Sequence, residues 1–264
     1  MAANEAPVTT AMEGGVLRLT LNAPSARNSL SFAMIEALRA ALTAAEADKA
    51  VRVIVIAAAG PVFSAGHDLK EMAAARAAAD GGRAAFLRLF EACSQLMQQV
   101  VNHRCPVIAE VSGFATADGC QLVASCDLAV AGESARFATP GVRIGLFCST
   151  PMVALTRSVA PKHAMEMLLT GDLIDAPRAA EIGLINRVVA DDALVRETMA
   201  LGRQIAARSQ LTVGIGKRAF YVQREMPLAE AYAYAATVMT ENMMAADACE
   251  GIGAFIGKRD PVWT

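Results

Sequence analysis

The sequence of 264 residues has no excess of either charge: 24 Lys and Arg stand against 26 Asp and Glu, a formal net charge of −2. Lacking a strong basic footprint, it is a poor candidate for binding nucleic acid. No cysteine pair has C-x-x-C spacing. Cys93, Cys105, Cys120, Cys126, Cys148 and Cys249 stand apart, and no histidine lies near enough in the chain to complete a zinc pattern. No metal is expected, and the thiols read as reduced and mostly buried. No apolar run reaches the roughly 18 residues of a membrane span. Met1 to Thr10 lacks a basic-then-apolar leader. The expectation is a cytoplasmic protein with neither membrane nor nucleic-acid partners.

Several catalytic signatures are also missing. Gly214-Ile215-Gly216-Lys217-Arg218 lacks the first glycine and the Ser/Thr of a P-loop. Gly251 to Gly257 misplaces the third glycine of a dinucleotide fingerprint and follows no strand. Ser64 has no glycine two residues before it, as a nucleophile elbow needs. Hydride transfer, nucleotide hydrolysis and serine-hydrolase chemistry are therefore unsupported.

What is present is ample apolar material, 55% of residues, enough for a sizeable core. Val16 to Leu21 alternates like a half-buried strand. The continuous runs Val51 to Ala58, Pro106 to Val111 and Asp127 to Ala131 read as strands covered on both faces. Ser31 suits a helix N-cap, with Met34, Ile35, Leu38 and Leu42 following at helical spacing. Phe86 to Val101 carries a similar apolar stripe, and 151–159, 162–169 and 177–182 read as helices. From Asp191 onward the pattern is helical with no strand. This gives an α/β core over 1–190 and a helical oligomerisation region over 191–264.

Two loops each follow a buried strand and hold glycine in a tight turn: Ser64 to Leu69, and Phe114 to Gly119, which runs into a helix. Helix N-termini and such turns leave backbone N–H groups unpaired. Two of them converging on one carbonyl oxygen would form an oxyanion hole.

The segments Phe63-Ser64-Ala65-Gly66-His67-Asp68-Leu69-Lys70-Glu71, Pro106 to Gly113 and Gly119-Cys120-Gln121-Leu122-Val123-Ala124-Ser125-Cys126-Asp127 resemble the enoyl-CoA hydratase/isomerase (crotonase) superfamily. Ala135 to Pro140, Leu168 to Gly171, Gly183 to Val189, and Asn22-Ala23-Pro24 with Asn28-Ser29-Leu30 extend the likeness in the family's order. The resemblance implies a crotonase fold of repeated ββα turns and a C-terminal helical trimerisation region. It implies a trimer or a dimer of trimers. It also implies lyase or isomerase chemistry on an acyl-CoA, with coenzyme A present only as part of the substrate and no permanently bound cofactor.

By the same resemblance the oxyanion donors are the backbone N–H groups of His67 and Asp118. The adenine-binding loop is Ser64, Ala65, Gly66, His67, Asp68 and Leu69. Arg27 lies near the CoA phosphates, and Phe255 and Lys258 meet the nucleotide. The family's two hydratase glutamates fall at Gln121 and Gly141. A glutamine amide cannot exchange a proton near neutral pH, and a glycine offers nothing, so efficient hydration is not expected.

Asp118 is read as a helix cap, with a relocated acid/base as the alternative. The His67 ring is expected to face solvent or a neighbour, with acid/base work as the alternative. His103 and His163 read as surface residues, Cys120 and Cys148 as core, and Lys70 and Glu71 as a solvated face. Met239 to Met244 reads as a subunit interface.

Overall fold

The computed structural model describes residues 6–264; the first five residues of the stretch searched for a leader lie outside the described residues. In chain order the strands are β1 (Val8–Glu13), β2 (Val16–Leu21), β3 (Val53–Ala58), β4 (Val62–Ser64), β5 (Val107–Val111), β6 (Phe114–Thr116), β7 (Leu128–Gly132), β8 (Arg136–Ala138), β9 (Ile174–Asp175) and β10 (Arg187–Val189). The helices are α1 (Phe32–Ala47), α2 (Leu69–Ala75), α3 (Arg83–Asn102), α4 (Asp118–Ser125), α5 (Ser149–Ser158), α6 (Pro161–Thr170), α7 (Ala176–Glu181), α8 (Leu194–Ala206), α9 (Gln210–Gln223), α10 (Leu228–Met243) and α11 (Ala246–Ile256).

The strands form two sheets. One is six-stranded, β1-β2-β3-β5-β7-β10; the other is four-stranded, β4-β6-β8-β9. Only β1 runs antiparallel in the first sheet, as a hairpin with β2. A strand of the first sheet leads to a short strand of the second and then to a helix three times over: β3-β4-α2, β5-β6-α4 and β7-β8-α5. This is the repeated ββα plan. The step from β5 to β6 needs glycine: Gly113 sits at φ +63, and a Cβ there would strike the Pro61 carbonyl.

The uninterrupted apolar strands have the reason expected of them. Along β3, Ile54 and Ile56 face a cluster built with α1 and α3, while Val53 and Val55 face Met199, Leu201 and Ala206 of α8. Each such side chain, once fully buried, contributes about 1.5–3 kcal/mol. α8 thus lies against the sheet although it falls beyond residue 190. Ser31 caps α1, its hydroxyl accepting from the Met34 N–H at 3.3 Å.

α9 is pinned to the core by polar groups. Lys217 Nζ donates to the carbonyls of Val100 (3.1 Å) and Cys105 (3.0 Å) and pairs with Asp127 at 2.7 Å, while the Tyr221 hydroxyl donates to Asp127 at 2.9 Å. Tyr232, Met239 and Met244 stand exposed on and just beyond α10. His103 is a correction: it is buried at the end of α3, because its ring is hydrogen-bonded to Leu42 and Cys105. Among the described residues no helix is long and apolar enough to cross a membrane.

Candidate active site

β4 ends at Ser64, and the chain turns through Ala65, Gly66 and His67 to Asp68, which caps α2 by accepting from the N–H groups of Lys70 (2.8 Å) and Glu71 (3.2 Å). The loop is stitched to the segment before α1. Ala65 N–H donates to the Arg27 carbonyl at 3.1 Å, and Leu30 N–H donates to the Gly66 carbonyl at 2.8 Å. Arg27 and Asn28 adopt left-handed φ values of 54° and 48°. Asn28 holds that turn by accepting from Ala23 N–H (2.8 Å) and donating to the carbonyls of Ala59 (2.9 Å) and Val62 (2.7 Å). Leu69 is exposed, and Glu71 departs from a purely solvated role by accepting from Phe32 N–H at 3.3 Å.

The second loop follows β6. Ala117 stands at φ 50°, a conformation strained for a residue with a Cβ, and α4 begins at Asp118. The two loops interlock. A Cβ on Gly66 (φ +88) would lie 2.8 Å from the Ala117 Cβ and 3.2 Å from the Asp118 nitrogen, and a Cβ on Gly119 would strike the Ser64 carbonyl. Both glycines are therefore required by close approach. Among the described residues neither the His67 nor the Asp118 N–H donates to a protein acceptor.

Asp118 does not cap α4. Its side chain makes no cap bond, and the carboxylate turns back towards the first loop. Asp118 Oδ1 lies 3.2 Å from His67 Nε2, with the two side chains 8% and 6% exposed. The contact is an ion-pair distance, though the groups are not aligned as a straight hydrogen bond. The His67 ring therefore does not face solvent. Its Nδ1 meets the Leu30 carbonyl at 3.0 Å, and it packs on Phe90 with ring centroids 5.5 Å apart.

Burial alone would depress the His67 pKa, but the neighbouring Asp118 carboxylate and Cys93 thiol reverse this and raise it to about 10. Cys93, on α3, completes the cluster: its sulfur, a ring nitrogen of His67 and a carboxylate oxygen of Asp118 lie within 4.8 Å of one another. Sequence spacing gives no sign of this trio. Cys93 is distant in the chain from both partners and reads as one more buried residue of the α3 stripe.

The remaining predicted positions lie on the next turn of α4 and the following loop. Gln121 is buried, and its side-chain oxygen has no partner among the described residues. Gly141 is buried in a short 3-10 turn, its N–H donating to Cys148 Sγ at 3.3 Å. A Cβ there would collide with the Leu146 carbonyl and sit 2.9 Å from Cys148 Sγ. Cys120 and Cys148 are buried as expected; burial pushes both thiols up, Cys120 to about 12, which disfavours a thiolate nucleophile. A cavity of about 830 Å³ lies between α3, α5 and α9. Gln121 borders it, but His67, Asp118 and Gly141 do not, so it is not the space in front of the two amides. Phe255 stands 85% exposed on α11, and Lys258 follows at a left-handed φ of 51°.

The enoyl-CoA hydratase/isomerase family profile matches residues 11–264. The mouse enoyl-CoA hydratase domain-containing protein 3, mitochondrial, is 46% identical over 256 residues, covering 97% of this chain and 84% of the relative. A crystal structure of the human protein of that name superposes with TM-score 0.92 at 45% identity, over 97% of this chain and 100% of that one. An enoyl-CoA hydratase structure from Mycobacterium smegmatis gives TM-score 0.93 at 48% identity, over 98% and 99%. The crotonase fold expected from the sequence is the fold observed. The cytoplasmic expectation is corrected: the mouse, rat and human relatives are designated mitochondrial, so this family branch gives no support to a cytoplasmic placement. With its profile, relatives and fold in agreement along nearly its whole length, the chain belongs to the enoyl-CoA hydratase/isomerase (crotonase) family.

Proposed function

We propose that the chain binds an acyl-CoA and polarises its thioester carbonyl with the backbone N–H groups of His67 and Asp118. The observation that carries this reading is the pair of amides without protein acceptors on two interlocked loops. Such donors, fixed before the ligand arrives, stabilise negative charge on oxygen as an enolate develops. Ser64 to Leu69 and Arg27 would hold the CoA moiety. Phe255 and Lys258 would meet its nucleotide, in a trimer or a dimer of trimers that covers the exposed apolar residues of α10 and α11.

Efficient hydration does not follow from this site. Gln121 can orient water or substrate through its free amide oxygen but cannot exchange a proton. Gly141 has no room for a side chain. One positioned acid/base is worth about 10²–10⁴ in rate, and neither family glutamate is present.

A panel of enoyl, hydroxyacyl and malonyl-type CoA esters, with products read by mass spectrometry, tests the reading. Crotonyl-CoA should bind and be hydrated slowly, with Gln121→Glu raising that rate at least about tenfold. Gly141→Glu should bring no gain and should lower the soluble yield, because its Cβ meets the Leu146 carbonyl. Rapid hydration by the native chain, unchanged in Gln121→Ala, would overturn the argument from the missing acids. Binding without any product would identify an acyl-CoA sensor or carrier, and release of free CoA a thioester hydrolase.

A further inference from the structure

His67 lies on the first loop and Asp118 on the second, so their 3.2 Å contact spans the two segments that bear the amides. Counting hydrogens decides what kind of contact it is. The Leu30 carbonyl can only accept, so His67 Nδ1, 3.0 Å away, carries a hydrogen. A neutral ring would then turn the Nε2 lone pair towards a carboxylate oxygen, with both side chains more than nine-tenths buried. Protonating Nε2 removes that conflict; the Cys93 thiol, the other donor near these atoms, is a weak one and cannot offset the carboxylate's charge.

We propose that the His67 imidazolium and the Asp118 carboxylate form a buried ion pair that positions the two amide-bearing loops against each other. The proposal rests on reading those amides as the carbonyl donors. It explains how a carboxylate is tolerated beside a developing enolate: the imidazolium neutralises it within the site. It also gives the start of α4 a tether that its N-cap position, Ala117, does not supply. The groups facing the ring are Asp118 from α4, Cys93 and Phe90 from α3, and the Leu30 carbonyl. Burial pushes the Cys93 thiol up, so it stays neutral and leaves Asp118 as the sole countercharge among them. His67 and Asp118 act here as positioning residues through their side chains, distinct from the donor role of their main chains.

Two measurements on the full-length protein test this. In 15N-histidine NMR, with His67 assigned by its loss in His67→Gln, both ring nitrogens should be protonated at about pH 8. A neutral ring overturns the proposal, as does stoichiometric zinc in the purified protein. The second measurement is the thioester C=O stretch of bound crotonyl-CoA by difference Raman. The native protein should lower it relative to free ligand. Asp118→Ala should lose most of that shift and bind about tenfold more weakly. Asp118→Asn should recover much of it, because an amide N–H can donate to a neutral Nε2. An equal shift in native protein and Asp118→Ala overturns the positioning role while leaving the amide reading intact. No shift in the native protein removes the amide reading, and the ion pair then stands or falls on the NMR result.

Discussion

His67 and His103 are both buried, and each places Nε2 about 3 Å from a carboxylate, yet their protons are held in opposite senses. At His67, Nδ1 faces a carbonyl and Nε2 faces Asp118, so both nitrogens are asked to donate. At His103, Nδ1 accepts from the Cys105 N–H at 3.0 Å, and only Nε2 has acceptors, the Leu42 carbonyl at 3.2 Å and Glu46 at 3.0 Å. A neutral ring satisfies His103 completely. Burial accordingly holds its pKa below the ordinary value; Glu46, 48% exposed, pulls upward and is opposed by Lys217 and Arg104. A nearby carboxylate does not by itself make an imidazolium. The hydrogen demand on the second nitrogen and the burial of the counterion do.

The sharpest way to break this contrast is Asp118→Ala. It should lower the unfolding free energy by about 3 kcal/mol near neutral pH, because it strands a buried cation or forces it to shed its proton. Urea denaturation reads the loss, and a cost below about 1 kcal/mol would put the two histidines on equal footing. The pH dependence comes next. His67, raised from 6.5 to about 10, binds its proton more tightly folded than unfolded, so its stabilisation is complete below about 6.5 and is lost as pH rises through about 10. The stability gap between native protein and Asp118→Ala should narrow across that window.

His103 should behave in the reverse way. Its depressed value means stability that is present above 6.5 and lost as pH falls, so His103→Gln should flatten the acid side of the profile. The smallest effect belongs to Glu46→Ala, about 0–1 kcal/mol, since half-exposed pairs are screened by solvent. A larger loss there would mean that His103 depends on its countercharge after all.

The fold was legible where physics is local. β3 and β5 announce themselves as unbroken apolar runs because both faces are covered, and Ser31 announces α1 because it is the residue that caps it. The short strands β4, β6 and β8 are too brief for any period to register; they exist because the ββα path returns the chain to a second sheet. At the site, the motifs Phe63 to Glu71, Pro106 to Gly113 and Gly119 to Asp127 carried the family resemblance. The orientation of side chains did not follow from it. Aspartate at the start of a helix reads as a cap, and only the packing of α3 and of the first loop against the start of α4 brings Cys93 and His67 to it. His103 likewise looked like a polar helix end, because the carbonyl of Leu42 that receives its proton lies on another helix.

Gly66 and Gly119 have a further effect through the contacts that exclude a Cβ at either position. Each loop is the wall against which the other rests, so a side chain at either glycine would push the two apart. On the proposed reading, variation in acyl chain is then to be accommodated away from these two turns, at the far end of the ligand. Capture of ligand should leave amide hydrogen exchange in both turns almost as slow as before, the mark of a jaw already closed.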